Sequence, residues 1–222
     1  FIQICKDNGL IPMTTCFTRS HVNVLSELGF KSIKVASYDC ASFPMLRELN
    51  DKYEEIIVST GAMNDDEIKY AATILNKSNF SLLHCVTLYP TPLDSLHLNR
   101  MRWLKKLSHN VGYSDHSHTG NTGLIASKLA MALGADIIER HFTILPANQT
   151  KDGPVSITPN QLKDLSDFSK LSIDERLQSV SNDFPNWKIM LGDINRKLSH
   201  EELLNRDYYR GRFASPRPFS IM

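Results

Sequence analysis

"NVGYSDHSHTGNTGLIASKLAMALGADIIERHFT" (residues 110–143) reads as one complete strand, helix and strand. The first run, 110–115, is short and ends in Ser114 and Asp115, with His116 directly after it. An apolar helical pattern over 121–135 follows, with Gly134 as its C-terminal stop. The second run, 135–143, is rich in isoleucine and ends in His141 and Thr143. Parallel strands in one sheet need a helical crossover of this kind.

The same alternation extends toward the start of the chain. Apolar or β-branched runs occupy 11–17, 32–37, 55–60 and 80–86, and helical patterns occupy 19–29, 43–53, 65–78 and 100–108, with a last helix over 158–171. Asp65, Asp66 and Glu67 crowd the start of the third helix, where the dipole favours negative charge. Near-continuous apolar strands alternating with helices imply a parallel sheet covered on both faces. A barrel and an open doubly wound sheet both satisfy that pattern. The polar residues separate them, because almost every run ends in hydroxyls or charges, from Thr14 and Thr15 through Lys34, Ser37, Ser59 and Thr60 to His84 and Thr87. A ring of strands points all such ends at one mouth, whereas an open sheet concentrates them at a single crevice. The expected fold is therefore α/β: a TIM-type (β/α)8 barrel, incomplete, with about six βα units present and the first two missing. The chain begins at Phe1 within what reads as a helix, in keeping with a piece of a longer protein. Residues 1–186 are expected to form the partial barrel and 187–222 a polar C-terminal tail, with a capping box at Ser199–Glu202 before a helix.

Composition narrows the partners. With 222 residues, 41% apolar and 22% charged, the chain can bury a sizeable core. The net charge of +1 and the scattered Lys and Arg give no footprint for nucleic acid or a membrane surface, so a small polar metabolite is the expected partner. Cys5, Cys16, Cys40 and Cys85 stand far apart without zinc-ribbon spacing and read as reduced thiols, which favours the cytoplasm. The longest apolar stretch is broken by Lys128 and is too short to span a bilayer.

Two sets of residues carry possible chemistry. His116 and His141 close consecutive strands, and neighbouring strands lie about 4.8 Å apart, so the two rings suit either strand caps or two ligands of one divalent ion with open positions. His118 is a rival ligand in the following loop, and His84 suits a core histidine as well as a site residue. His21, His97, His109 and His200 read as surface residues. The second set is Thr15, Lys34, Ser37, Ser59 and Ser114, which together supply the cation and hydroxyls that a desolvated phosphate requires. Lys34 lies inside an apolar run, where a buried ammonium needs an anion, and Asp39 is a candidate structural partner.

"KVASYDCASFPML" (34–46), "IIVSTGAM" (56–63), "LLHCVTLYPTPL" (82–93), "VGYSDHS" (111–117) and "ALGADIIERHFT" (132–143) together resemble the sialic acid synthase family. That family includes the synthases of N-acetylneuraminic, legionaminic and pseudaminic acids. The resemblance implies a barrel transferase of carbohydrate biosynthesis that condenses phosphoenolpyruvate with an N-acetylmannosamine-type sugar, giving a nonulosonic acid and phosphate. It implies a divalent metal, Mn2+ or Mg2+, on His116 and His141, and phosphoenolpyruvate on Thr15, Lys34, Ser37, Ser59, Thr87 and Ser114. Thr87 stands where the family has asparagine. Asp39 and Tyr89 would face the sugar, an N-acyl hexosamine; the usual aspartate after Gly-Pro is Val155 here, with Asp152 as its substitute. The family's catalytic glutamate and a substrate lysine belong to the first two strands, and many members carry a C-terminal antifreeze-like domain and work as homodimers. Neither the strands nor that domain is present here, so the fragment alone is expected to be inactive. Rival readings are a metal-dependent barrel isomerase or aldolase, which leaves Lys34 and the hydroxyls without a task, and a non-catalytic homologue.

Overall fold

A computed structural model describes residues 1–210; the end of the expected tail, 211–222, lies outside the described residues. Six strands are hydrogen-bonded in chain order: β1 (Met13–Thr15), β2 (Ser32–Val35), β3 (Glu55–Ser59), β4 (Asn79–Cys85), β5 (Asn110–Asp115) and β6 (Ile137–Arg140). The β1–β2, β2–β3 and β5–β6 pairs are parallel, with Thr15 opposite Lys34, Lys34 opposite Ile57, and Asp115 opposite Arg140. Every residue of β2 is buried and so is nearly all of β3, β4 and β5, whereas β1 and β6 are half-buried throughout. Burial on both faces is what apolar runs in a parallel sheet require.

The helices are α1 (Ile2–Asp7), α2 (His21–Glu27), α3 (Phe43–Asn50), α4 (Asp65–Ile74), α5 (Arg100–Leu104), α6 (Thr119–Thr122), α7 (Ile125–Ala132), α8 (Pro159–Phe168), α9 (Ile173–Asp183) and α10 (His200–Arg210). The chain divides into two compact units, one of Phe1–Ser81 with the segment from Leu198, the other of Leu82–Lys197.

The first unit holds β1 to β3, the start of β4 and α1 to α4, with α3 packed against α2 and α4. The acidic start of α4 is where its charges placed it, and Glu67 also closes a capping box with Asn64. The capping box of Ser199 and Glu202 also forms, and α10 docks through Arg206, whose guanidinium makes two hydrogen bonds to Glu67 at 2.9 and 2.7 Å. Tyr209 stacks on Tyr38 at 4.3 Å between ring centroids. The polar stretch after Trp187 is thus packed. Its first part belongs to the second unit, where the amides of Leu98 and Asn99 donate to the carbonyls of Met190 and Leu191.

In the second unit, α7 is buried on most sides and lies against β5, β6 and α9. Helix α9 was not expected from the apolar period. Its signal is the box of Ser172 and Glu175, a start site that a sparse apolar face had obscured. Gly112 in β5 leaves no room for a side chain: a Cβ there would meet the Ile137 carbonyl at 2.3 Å and Leu83 at 2.5 Å. His84 proves to be a core residue, 2% exposed, with its ring 2.6 Å from the Leu96 carbonyl. Cys16, Cys40 and Cys85 are buried and Cys5 is half-buried, with no disulfide among the described residues. Burial pushes the Cys40 thiol up to about 12, so it stays protonated. Among the described residues, no helix is long and apolar enough to cross a membrane.

Gly112→Ala overpacks the β5 contact and should destabilise the chain by about 1–3 kcal/mol, read as a lower urea midpoint; an unchanged midpoint would show the strands yield. Burial lowers His84 to about 3, so above the unfolded value near 6.5 its contribution to stability is complete. Between those two values the unfolded chain binds the extra proton, and stability falls by up to about 1.4 kcal/mol per pH unit as pH drops. Urea titrations from pH 7 to 4 should show that slope, and His84→Phe should make it shallower; an unchanged slope contradicts the assignment.

Candidate active site

Strand ends in parallel register bring side chains from different runs together. In the first unit, Lys34 is buried at the middle of β2, and its ammonium donates to the Ser59 hydroxyl at 2.8 Å and the Val35 carbonyl at 2.9 Å. Ser37, just beyond β2, is buried and accepts from the Gly61 amide at 3.1 Å. Thr15, half-buried, ends β1 opposite Lys34. Asp39 is almost wholly buried in the turn that follows Ser37. The first unit thus holds a buried cation and three hydroxyls at neighbouring strand ends, the kinds of group a phosphate needs when water is removed.

In the second unit, His116 and His141 approach each other, with ring centroids 5.5 Å apart and planes at 51°. Tyr89 completes the cluster, its ring centroid 5.2 Å from His116 and 5.8 Å from His141. The Tyr89 hydroxyl donates to Asp152 at 2.9 Å, and the other Asp152 oxygen lies 3.7 Å from His141 Nδ1. Burial first, then the hydrogen bond to Asp152, raise the Tyr89 phenol well above its ordinary value, so it remains a donor. Ser114, at the end of β5, donates to Glu139 at 2.6 Å. Thr87 is half-buried just after β4.

Burial lowers both imidazoles; for His116 the charges of Asp115 and Glu139 partly oppose this, and for His141 its neighbour His116 reinforces it. Neutral rings are the form that binds metal. A His116 ring N–H is held by the Val86 carbonyl, and Cys85 Sγ lies 3.7 Å from His116 Nδ1. Such a second partner fixes which nitrogen faces outward. A ring nitrogen bound at about 2.1 Å places two centroids on a shared ion roughly 5 Å apart, so the observed spacing fits a divalent ion with open positions. Among the described residues, no group of three or more His, Cys, Asp or Glu is placed to hold a metal, so the fit rests on two imidazoles.

His118 does not join this pair. Its Nδ1 accepts from the amides of Gly120 and Asn121 at 3.0 and 3.3 Å, making it the N-cap of α6. His97, expected on the surface, is half-buried and its Nδ1 accepts from the Asp193 amide at 3.1 Å. His21, His109 and His200 are exposed. Sequence reasoning missed Glu139 and Arg140. The signal was the pair of charges in "IIERHFT", two residues and one residue before His141, inside a run that ought to be apolar.

The NeuB family model matches residues 1–174. N,N'-diacetyllegionaminic acid synthase of Campylobacter jejuni is 38% identical over 68% of this chain and 46% of its own length. Pseudaminic acid synthase of Campylobacter jejuni is 27% identical over 96% of this chain and 58% of its own length. The chain spans about half the length of the curated relatives it matches. Among solved structures, N-acetylneuraminic acid synthetase of Leptospira borgpetersenii in complex with citrate has a TM-score of 0.69 at 29% identity, covering 97% of this chain and 70% of that one. DAHP synthase of Thermotoga maritima, 18% identical, covering 82% of this chain and 54% of that one with a TM-score of 0.61, shares the fold alone, which is of the TIM-barrel type. An α/β chain with this parallel sheet, matched by the family model over most of its length, belongs to the NeuB family, the family of sialic acid synthases.

Proposed function

We propose that the protein from which this chain comes condenses phosphoenolpyruvate with an N-acetylmannosamine-type sugar to a nonulosonic acid and phosphate. Its named relatives make legionaminic, pseudaminic and N-acetylneuraminic acids or their phosphates. The observation that carries the reading is the ring-to-ring approach of two neutral imidazoles, His116 and His141, at 5.5 Å in a member of this family. In this reading the six βα units are the last six of an eight-unit barrel. In the same reading the whole protein works in the cytoplasm as a homodimer, with the remaining catalytic groups on the first two units of that barrel.

Phosphoenolpyruvate takes Thr15, Lys34, Ser37, Ser59, Thr87 and Ser114. Lys34 neutralises its charge and the hydroxyls satisfy its oxygens. The Lys34 ammonium, already committed to Ser59, is held in place before the ligand arrives, so little ordering is required on binding. Tyr89 and Asp152, joined by their hydrogen bond, present a donor and an acceptor to the sugar, and Asp39 offers a further carboxylate. Manganese or magnesium held by His116 and His141 would supply Lewis-acid polarisation of the sugar aldehyde. The enol carbon forms the new carbon–carbon bond to that aldehyde carbon, water adds to the cation left behind, and phosphate departs. Lys34 and its hydroxyls hold the negative charge of the departing group.

Phosphate release from phosphoenolpyruvate by the whole protein should need both Mn2+ and an N-acyl hexosamine; release without sugar contradicts the reading. Lys34→Met removes a charge-assisted hydrogen bond and should weaken phosphoenolpyruvate binding about 10- to 100-fold, measured as KM. His141→Ala should remove the Mn2+ dependence while leaving the unfolding midpoint near that of the parent, and a variant that still binds Mn2+ normally excludes the ligand assignment.

A further inference from the structure

Asp115 and Arg140 face each other in the β5–β6 register, and each immediately precedes a histidine of the site. They form an ion pair at 2.8 Å with side chains 0% and 2% exposed. Arg140 Nη1 donates also to the Asp115 carbonyl at 3.2 Å, the Ser117 carbonyl at 3.3 Å and the Ser117 hydroxyl at 3.2 Å. One nitrogen therefore grips the backbone on both sides of His116. Asp115 is fixed in turn by the Ser127 hydroxyl of α7 and by the Ser117 amide at 2.8 Å. The other guanidinium nitrogens, Nε and Nη2, are buried and have no hydrogen-bond partner among the described residues.

We propose that Asp115 and Arg140 are positioning residues that hold His116 and His141 ring to ring, and that Arg140 acts through a single nitrogen, so that lysine serves equally at position 140. The proposal deepens the metal reading of the two imidazoles and rests on it. Removing two charges from water brings little net stability, which leaves a unique geometry as the gain from retaining them. The guanidinium fork is normally chosen for two parallel bonds. Here Nη1 serves four acceptors, the Asp115 carboxylate and carbonyl and the Ser117 carbonyl and hydroxyl, through two N–H donors, and a lysine ammonium carries three donors on one nitrogen.

The test uses the 222-residue chain with 13C-labelled histidine. The parent chain should give a cross-peak between the His116 and His141 ring protons, and Mn2+ should broaden both rings. Arg140→Met should abolish the cross-peak and weaken Mn2+ binding about 10- to 100-fold, the loss usual for a partner that orients a ligand. Arg140→Lys should restore both to near the parent values, a rescue that mere filling of the space would not give. Should Arg140→Met not fold, Asp115→Asn with Arg140→Met, which leaves no lone buried ion, is read by the same cross-peak, whose loss in the folded double variant supports the proposal. A parent without the cross-peak, either methionine variant folded with cross-peak and Mn2+ affinity intact, or a lysine variant that behaves like methionine, overturns the proposal. If Mn2+ broadens neither ring of the parent while the cross-peak follows the pattern above, the metal reading fails and the positioning role stands.

Discussion

The buried ion pair between Asp115 and Arg140 is the constraint on which the second unit depends. It joins two parallel strands at a matched register, and a slip of one residue would send every side chain beyond it to the opposite face. His116 and His141 each follow a member of the pair, so the register that brings the charges together also delivers the rings. Breaking such a pair by removing one partner leaves an uncompensated charge in the interior, at a cost of about 3–5 kcal/mol. The site is thereby tied to the core: α7, which packs behind β5 and β6, supplies the serine that holds Asp115.

The first unit repeats this economy with different chemistry. Lys34 is buried in an apolar strand, yet its ammonium is satisfied by a hydroxyl and a carbonyl supplied by neighbouring backbone and β3. Those two bonds and the packing of the strand settle its position. The C-terminal helix is anchored to the same unit by the Arg206–Glu67 pair and the Tyr209–Tyr38 stack, beside the turn that carries Ser37 and Asp39. Ends of strands and the helix that docks near them therefore form one body.

Much of the fold was legible because its signal is periodic. Five of the six strands fall within the runs read from sequence and β4 starts one residue before its run, at Asn79; where the run 135–143 overshoots Ile137–Arg140, the excess includes His141. Helix α9 escaped because its apolar face is sparse and only its capping box marks it. The individual histidines were harder to place. His118 stands two residues from His116, but its ring nitrogen is occupied by amides that become available only when α6 forms. His84 and His97 each settle on a backbone group distant in sequence, Leu96 and Asp193, which no local pattern records.

By itself the sequence determined the alternation of strands and helices, the burial of the middle strands, the family, and the order in which His116 and His141 close their segments, because each of these is written in local apolar period and motif spacing. Only the tertiary structure decided that those two rings meet, that Tyr89 and Asp152 stand beside them, and that an arginine before one histidine grips the chain around the other. Those contacts depend on register and on side chains reaching between strands, and register is fixed by the packing of the whole unit rather than by any single stretch of residues.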